Sequence, residues 1–207
     1  AENYQRDRIF KQRFSLFKDI VRPLEGISSV IDIGCGSGEY SAFLHERYRG
    51  RTIGVDVSKK MVQLCGARHR ADNLSFQTGD ITRLDFASDY CDLAVSLSVL
   101  EWVEDFPKAI AEVSRVLKPG GKWIVSIPNW RSPFRMAERI VSRFKKSSYL
   151  RLRRNRLSIL EMIRLCEQRE LKVIRKDFHV IPFYGGRLPL CLGRIVGMMC
   201  ILTLEKK

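Results

Sequence analysis

The stretch that decides the fold is VIDIGCGSGEY, residues 30–40. An apolar run interrupted by Asp32 is followed by three glycines at alternate positions, Gly34, Gly36 and Gly38. Glycine adopts positive φ without strain and lets a ligand approach the backbone closely. In open α/β sheets, ligands bind at the carboxyl edge, where the strands end. The stretch therefore predicts a buried strand followed by a ligand-binding turn.

Short β-branched runs alternate with amphipathic segments on both sides of this stretch. The predicted strands are 29–33, 51–56, 74–79, 91–97 and 122–127, and the predicted helices are 3–22, 38–49, 58–71 and 106–117. Such alternation implies right-handed βαβ units and a parallel sheet. Beyond residue 129 we expect a helix that begins at Ser132-Pro133, a second helix with a capping box at Ser158 and Glu161, and two last strands, 172–180 and 197–206.

Length and composition indicate one ordinary globular domain. The chain has 207 residues, of which 45% are hydrophobic. It contains neither an uncharged apolar run of 18 residues nor a visible signal peptide. The six cysteines form no Cys-x-x-Cys pair, so we expect no zinc site, no disulfide framework and a cytoplasmic location.

The charge is unevenly distributed. The net charge is +14, and residues 129–207 hold 19 of the 37 Lys and Arg but only 6 of the 23 Asp and Glu. Residues 1–128 are therefore nearly neutral. This division predicts a neutral scaffold joined to a basic accessory surface.

Acidic residues at three strand ends suggest the ligand. The loop 34–38 has the spacing G-x-G-x-G, with Glu39 where the dinucleotide fingerprint has its third glycine. Asp32 precedes the loop, and its carboxylate would attract an ammonium group but repel a pyrophosphate. Asp56 ends the second strand, where a carboxylate accepts hydrogen bonds from ribose hydroxyls. Asp80 follows the third strand and suits an adenine amino group. S-adenosylmethionine carries all these parts.

Five segments in order strengthen this interpretation: VIDIGCGSGEY, GVDVS, TGDITRLDF, CDLAVSLSVLEWVED and VSRVLKPGGKWIVSIPN. Together they resemble the successive motifs of class I S-adenosylmethionine-dependent methyltransferases, above all the quinone-biosynthesis type with a methyltransferase type 11 domain. The resemblance covers roughly residues 28–130. It implies an α/β Rossmann-like fold: a seven-stranded, mostly parallel sheet with an antiparallel last strand and helices on both faces.

The resemblance also implies a domain plan for residues 1–207. It comprises a helical lid (1–27), a cofactor-binding core (28–128), a basic substrate-side region (129–197) and a final strand (197–207). The cofactor-binding residues carried over are Asp32, Gly34, Cys35, Gly36 and Gly38 for the methionine part, Asp56 and Val57 for the ribose, Asp80 and Ile81 for the adenine, Ser96 and Leu97 beneath the sulfonium, and Tyr4 as a lid. No metal is expected.

The catalytic residues are harder to assign. Many relatives have Glu-His where this chain has Glu101-Trp102, so the residue best suited to act as a base is missing. Glu101 and His179 remain the candidates, with a solvated or capping carboxylate as the alternative role for Glu101. We expect His45 and His69 to lie at the surface of helices.

The basic segment 131–156 is compatible with more than one binding partner. Its Arg and Lys accompany apolar residues at helical spacing, which fits a solvated helix over the substrate pocket, an anionic membrane surface or, less well, RNA. The leading hypothesis is a methyltransferase for a small lipophilic or anionic acceptor, cytoplasmic or peripheral to a membrane. The alternatives are an RNA methyltransferase and a catalytically idle cofactor-binding scaffold.

Overall fold

The structure is a computed structural model that describes residues 2–133, 136, 155, 157–179 and 197–207, with residues 2–9 described by their backbone alone. The helices are α1 (Glu2–Val21), α2 (Glu39–Tyr48), α3 (Lys59–Arg68), α4 (Phe106–Val116) and α5 (Ile159–Glu167). The strands are β1 (Ser29–Ile33), β2 (Arg51–Asp56), β3 (Leu74–Thr78), β4 (Cys91–Ser96), β5 (Leu117–Pro128), β6 (Leu171–His179) and β7 (Met199–Lys206). A 3-10 turn covers Leu100–Trp102.

In the described part of the chain, the strands form one seven-stranded sheet in the order β3-β2-β1-β4-β5-β7-β6. Strands β1 to β5 pair in parallel, and β7 pairs antiparallel with both β5 and β6. The strand order reverses between β1 and β4, which places the ligand-binding crevice at the ends of these two strands. The fold class expected from the sequence is confirmed.

Local signals fix where the helices begin. The Ser58 side chain accepts a hydrogen bond from Met61 N at the start of α3. Asp105 caps α4 in the same way. The predicted capping box is present at α5, where Ser158 and Glu161 satisfy each other's backbone N–H groups. Each cap satisfies a donor that the first helical turn leaves open.

Helices cover both faces of the sheet. On one face, buried residues of α4 and α5 such as Ile110, Val113 and Met162 pack with the strands. On the other face, Phe17 of α1 and Leu44 of α2 pack with a second set of strand residues. Burial on both faces explains why the central strands read as continuous apolar runs.

An aromatic cluster fixes α1 against α2. Phe10, Phe14 and Phe17 lie on one face of α1, and each ring contacts Tyr40 edge-on at centroid distances of 4.9–5.8 Å. Phe14 also meets Phe43 at 5.5 Å. Such pairs contribute about 0.5–1.5 kcal/mol each beyond their buried area. The cluster determines which residues of α1 reach the carboxyl edge of the sheet.

Two local expectations were wrong. The KPGG segment (118–121) was expected to precede the fifth strand, but β5 begins at Leu117. Leu117 pairs with Cys91 while Lys122 pairs with Leu93, so the segment bulges out within the strand. Helix α3 ends at Arg68 and not at residue 71.

The expectation that His45 and His69 lie at the surface of helices was also wrong. His45 is buried in α2. His69 follows α3 as its C-cap residue and is half-buried, because its ring turns toward the loop after β1. Neither side chain is a plain surface residue.

Within the described residues, no helix has the length and apolar character needed to cross a bilayer. Cys35, Cys65, Cys91, Cys166 and Cys200 are buried free thiols. The expectations for Cys191, for the basic segment after Met136 and for the loop 180–196 fall outside the described residues.

Candidate functional site

The loop after β1 is built from glycines in the left-handed region. Gly34, Gly36 and Gly38 have φ values of 73°, 55° and 81°. Gly34 N donates to Val55 O at 2.7 Å, which ties the loop to β2. A Cβ on Gly34 would lie 2.3 Å from a methyl group of Val99, whereas one on Gly36 would meet nothing within 4 Å. The loop therefore packs tightly at Gly34 and is open at Gly36, where a ligand can approach the backbone.

Helix α3 holds the same loop from outside. Cys65 Sγ donates to Gly36 O at 3.0 Å, and His69 Nε2 lies 3.0 Å from Ser37 O. A Cβ on Gly38 would come within 2.8 Å of the His69 ring and 3.1 Å of the Cys65 sulfur. Gly38 is thus required for packing against α3. No local sequence pattern indicates these contacts, since the partners lie 29 and 32 residues apart in the chain.

Asp32 is a buried carboxylate in β1, 3% exposed. Ser41 Oγ donates to it at 2.5 Å. Burial raises the pKa of Asp32 to about 6; the Ser41 hydrogen bond opposes this shift, and the charge of Asp56 adds to it. A carboxylate in this position is stabilised by any cation that binds beside it.

Asp56 and Asp80 follow neighbouring strands at the same edge. Asp56 Oδ2 accepts from Gly36 N at 3.0 Å and Oδ1 accepts from Ser58 N at 2.9 Å, so this carboxylate joins the loop to the start of α3. Asp80 Oδ1 accepts from the backbone and hydroxyl of Thr82 at 2.8 and 2.9 Å. Both carboxylates keep further lone pairs for a ligand.

A pocket of about 500 Å³ brings these strand ends together. It is lined by Ile33, Gly34, Asp56, Val57, Gly79, Asp80, Ile81, Thr82, Ser98, Val99, Trp102, Val103, Glu104 and Asp105. Its polar groups are mainly carboxylates and its walls are apolar. The open Gly36, the buried Asp32 and the two strand-end acids fit a ligand with an ammonium group, a ribose and an adenine.

The other expected cofactor residues occupy different surroundings. Cys35 is buried at 5% exposure, and burial raises the pKa of its thiol, so it fills space behind the loop. Ser96 is fully buried, and its hydroxyl accepts from Trp123 Nε1 at 2.9 Å. Leu97 packs with the α1 side of the core. Tyr4 lies in α1, and its side chain is outside the described part of the chain.

The two catalytic candidates are both buried. Glu101, in the 3-10 turn, is 4% exposed, so the solvated carboxylate considered as its alternative role is not found. His179 ends β6 and is 7% exposed. Burial, and next the positive charge of Arg13, lower the pKa of His179 to about 4. His179 is therefore neutral at pH 7.

Sequence reasoning missed Arg13, which reaches this edge from α1. Its Nη2 donates to Ser98 Oγ at 2.7 Å. Ser98 lines the pocket and has φ 59°, a left-handed conformation that is uncommon outside glycine. In the sequence, Arg13 is one of many cations on an amphipathic helix, so no local signal distinguishes it.

Comparison with known proteins agrees with this geometry. A family model described as a methyltransferase domain matches residues 31–125. Trans-aconitate 2-methyltransferase of Deinococcus radiodurans is 37% identical over 107 residues, which are 51% of this chain and 40% of that protein. The ubiquinone/menaquinone biosynthesis C-methyltransferase of Desulfotalea psychrophila is 32% identical over 100 residues, 48% of this chain and 41% of that protein. The matches span about two fifths of the length of these relatives.

Solved structures extend the fold comparison to the whole chain. One is a chain from the complex between the Haloferax volcanii Trm112 methyltransferase activator and a putative methyltransferase, with a TM-score of 0.75 and 22% identity. The superposition covers 99% of this chain and 94% of that one. At this identity the likeness establishes the fold alone.

Proposed function

We propose that this protein is a class I S-adenosylmethionine-dependent methyltransferase, since a methyltransferase-domain model matches residues 31–125, and that it transfers a methyl group to an O, N or C nucleophile of a small, lipophilic or anionic acceptor. The observation that carries the proposal is the pocket at the switch point between β1 and β4. There Gly34, Asp56 and Asp80 converge, with the buried Asp32 two residues before Gly34.

Each side chain has a role that follows from its position. Asp32 would hold the ammonium group of the cofactor, because a cation offsets the cost of burying its charge. Asp56 would accept from the ribose hydroxyls, and Asp80 with Ile81 would hold the adenine. Trp102 and Val103 supply apolar wall that excludes water.

S-adenosylmethionine, when bound, supplies a methyl group already activated on a sulfonium. The protein then has to orient the acceptor, which can contribute about 7–11 kcal/mol. A general base matters only where the acceptor must lose a proton. Glu101 and His179 are both buried, so neither is an evident base for a large acceptor.

Calorimetric titration with S-adenosylhomocysteine tests the cofactor assignment. We expect micromolar binding by the wild type, no heat with NADH, and at least about a 10-fold loss in Asp56→Ala because two ribose hydrogen bonds disappear. Asp72→Ala removes an exposed carboxylate elsewhere and serves as the matched control.

Asp56 also supports the loop and the start of α3 through its hydrogen bonds. Thermal unfolding of Asp56→Ala therefore accompanies the titration, and Asp80→Ala provides a second variant whose side chain contacts only its own turn. Absence of S-adenosylhomocysteine binding by a folded wild type would contradict the proposal. Methyl transfer to any acceptor excludes the idle-scaffold alternative.

For the basic segment 131–156 we propose contact with an anionic membrane surface, on the strength of its sequence. Lys and Arg near anionic lipid contribute about 1 kcal/mol each. Co-sedimentation with phosphatidylserine vesicles measures this contact, and binding to RNA instead, with a steep dependence on salt, would favour the RNA methyltransferase alternative.

A further inference from the structure

Arg13 donates a hydrogen bond to Ser98, which lines the pocket, and the packing of α1 holds Arg13 in this position. The aromatic cluster formed by Phe10, Phe14 and Phe17 with Tyr40 fixes the rotation of this helix. Arg13 lies within the same stretch of α1, and its guanidinium reaches across to Ser98 after β4 at 2.7 Å. The cation thus sits between the lid helix and the end of a central strand.

Ser98 is held firmly in place to receive it. Its N–H donates to Ser126 Oγ at 2.7 Å, and its carbonyl accepts from Trp102 Nε1 at 3.1 Å. Its φ of 59° is a left-handed conformation that costs a non-glycine residue free energy. Strain of this kind at a pocket wall is typical of residues that orient a ligand.

Arg13 has no counter-charge among the described residues. It is half-buried, and no ion pair between Arg13 and a carboxylate occurs in the part of the chain that the structure describes. Fully buried cations are ordinarily paired, and Arg13 is partly removed from water. Segments 134–154 and 180–196 together contain ten Lys and Arg but a single acid, Glu138. The composition of these segments offers little negative charge to neutralise Arg13.

The neighbours of Arg13 add polarity without charge. His179 is neutral at pH 7, because burial and the charge of Arg13 hold its pKa near 4. Its Nε2 is buried and has no hydrogen-bond partner among the described residues. Tyr40, whose hydroxyl stays protonated because burial raises its pKa, lies close enough to feel the charges of both Arg13 and Asp32. Among the described residues, one unpaired cation lies with neutral polar groups, which matches a ligand with a single negative charge.

We propose that Arg13, with Ser98 beside it, binds a carboxylate group of the methyl acceptor. This inference rests on the proposed function, since it names the acceptor class of the same site. The planar guanidinium binds a carboxylate through two parallel hydrogen bonds, a geometry that lysine does not offer. A dianionic phosphate would call for more than one cation.

The test uses the protein saturated with S-adenosylhomocysteine and three pairs of probes: benzoate with benzamide, hexanoate with hexanamide, and succinate with succinamide. Binding is followed by NMR chemical-shift titration to 20 mM. We expect at least one acid to bind at least about 10-fold more tightly than its amide, because only the acid forms the charge-assisted pair. Arg13→Gln should remove this preference, and Arg13→Lys should recover only part of it.

Lys11→Gln is the matched control, because it removes one exposed cation from the same helix. It should leave the preference for acids unchanged. Equal binding of acids and amides, undiminished acid binding by Arg13→Gln, or no acid binding up to 20 mM would each overturn the proposal. Titration of the same variants with S-adenosylhomocysteine separates the two inferences. If the wild type does not bind S-adenosylhomocysteine, the proposed function is wrong. If it binds S-adenosylhomocysteine but none of the acids, only this inference is wrong.

Discussion

Replacing the buried Asp32 by Asn should raise stability and weaken cofactor binding at the same time. The carboxyl group is 3% exposed and is hydrogen-bonded to the Ser41 hydroxyl. Asparagine has the same shape and keeps an oxygen that can accept from Ser41. The substitution therefore isolates the charge, with little change in packing.

The magnitude follows from the pKa. Burial first, then the charge of Asp56, raise the pKa of Asp32 from 3.8 to about 6 against the Ser41 hydrogen bond. Each pKa unit corresponds to about 1.4 kcal/mol, so the charged form costs the folded state about 3 kcal/mol at neutral pH. The stability linked to this raised pKa is fully present below pH 3.8 and is lost as the pH rises through 6. Asp32→Asn should thus be about 3 kcal/mol more stable than wild type at pH 7.5, and the gap should narrow toward pH 4.

Urea unfolding of both proteins at several pH values measures this difference. Subtracting the two profiles removes contributions from other titrating groups, because these are common to both chains. Titration with S-adenosylhomocysteine should show at least about a 10-fold weaker binding by Asp32→Asn, since a charge-assisted hydrogen bond to the ammonium is lost. Asp72→Asn, at an exposed position, should change neither quantity.

Two results would refute the reasoning. A variant that is less stable than wild type at pH 7.5, or a stability gap that does not vary with pH, would mean that Asp32 is not an uncompensated buried charge. Cofactor binding equal to wild type would mean that its carboxylate does not meet the ammonium group.

Two further outcomes are expected. Gly38→Ala should lower the free energy of unfolding by more than Gly36→Ala does, because its Cβ would come within 2.8 Å of His69 while Gly36 faces open space; Gly36→Ala should instead weaken S-adenosylhomocysteine binding, and calorimetry with thermal unfolding distinguishes the two effects. The wild type should lose about 3 kcal/mol of stability as the pH falls from 6.5 to 4, because His179 takes up a proton in the unfolded chain at a higher pH than in the folded protein. His179→Gln should not show this loss. Equal pH profiles of the two proteins in urea unfolding would contradict the prediction.

The fold was predictable because its signals are local and ordered along the chain. Alternating strand and helix patterns, the glycine loop and the caps at Ser58 and Ser158 all lie within a few residues of the elements they define. The KPGG segment was misjudged because its place is decided by pairing with β4. Leu117 opposite Cys91 extends the strand before the glycines, and no pattern within the segment indicates this.

The strand-end acids of the candidate site were predictable from the sequence, whereas the contacts that α1 and α3 make with it were not. The acidic residues could be identified because the sequence pattern predicts where the strands end. The contacts of Cys65 and His69 with the loop, and the reach of Arg13 to Ser98, depend on how α3 and α1 dock. Docking is fixed by packing among residues far apart in the chain, which periodicity does not reveal.

The charges of the two sides of the pocket are opposite, and this bears on the absent histidine after Glu101. Asp56 and Asp80 line the pocket, and Arg13, which has no carboxylate partner among the described residues, donates to Ser98 on the pocket wall. Where the oxygen of the bound carboxylate is itself the nucleophile, it is already ionised at neutral pH and needs no general base. For such an acceptor, Trp102 in the place of a histidine is no defect, because its indole instead fixes Ser98 through the carbonyl. If the acceptor belongs to this class, the departure from the family pattern is compatible with methyl transfer, and an acceptor assay on the wild type separates an active enzyme from an idle scaffold.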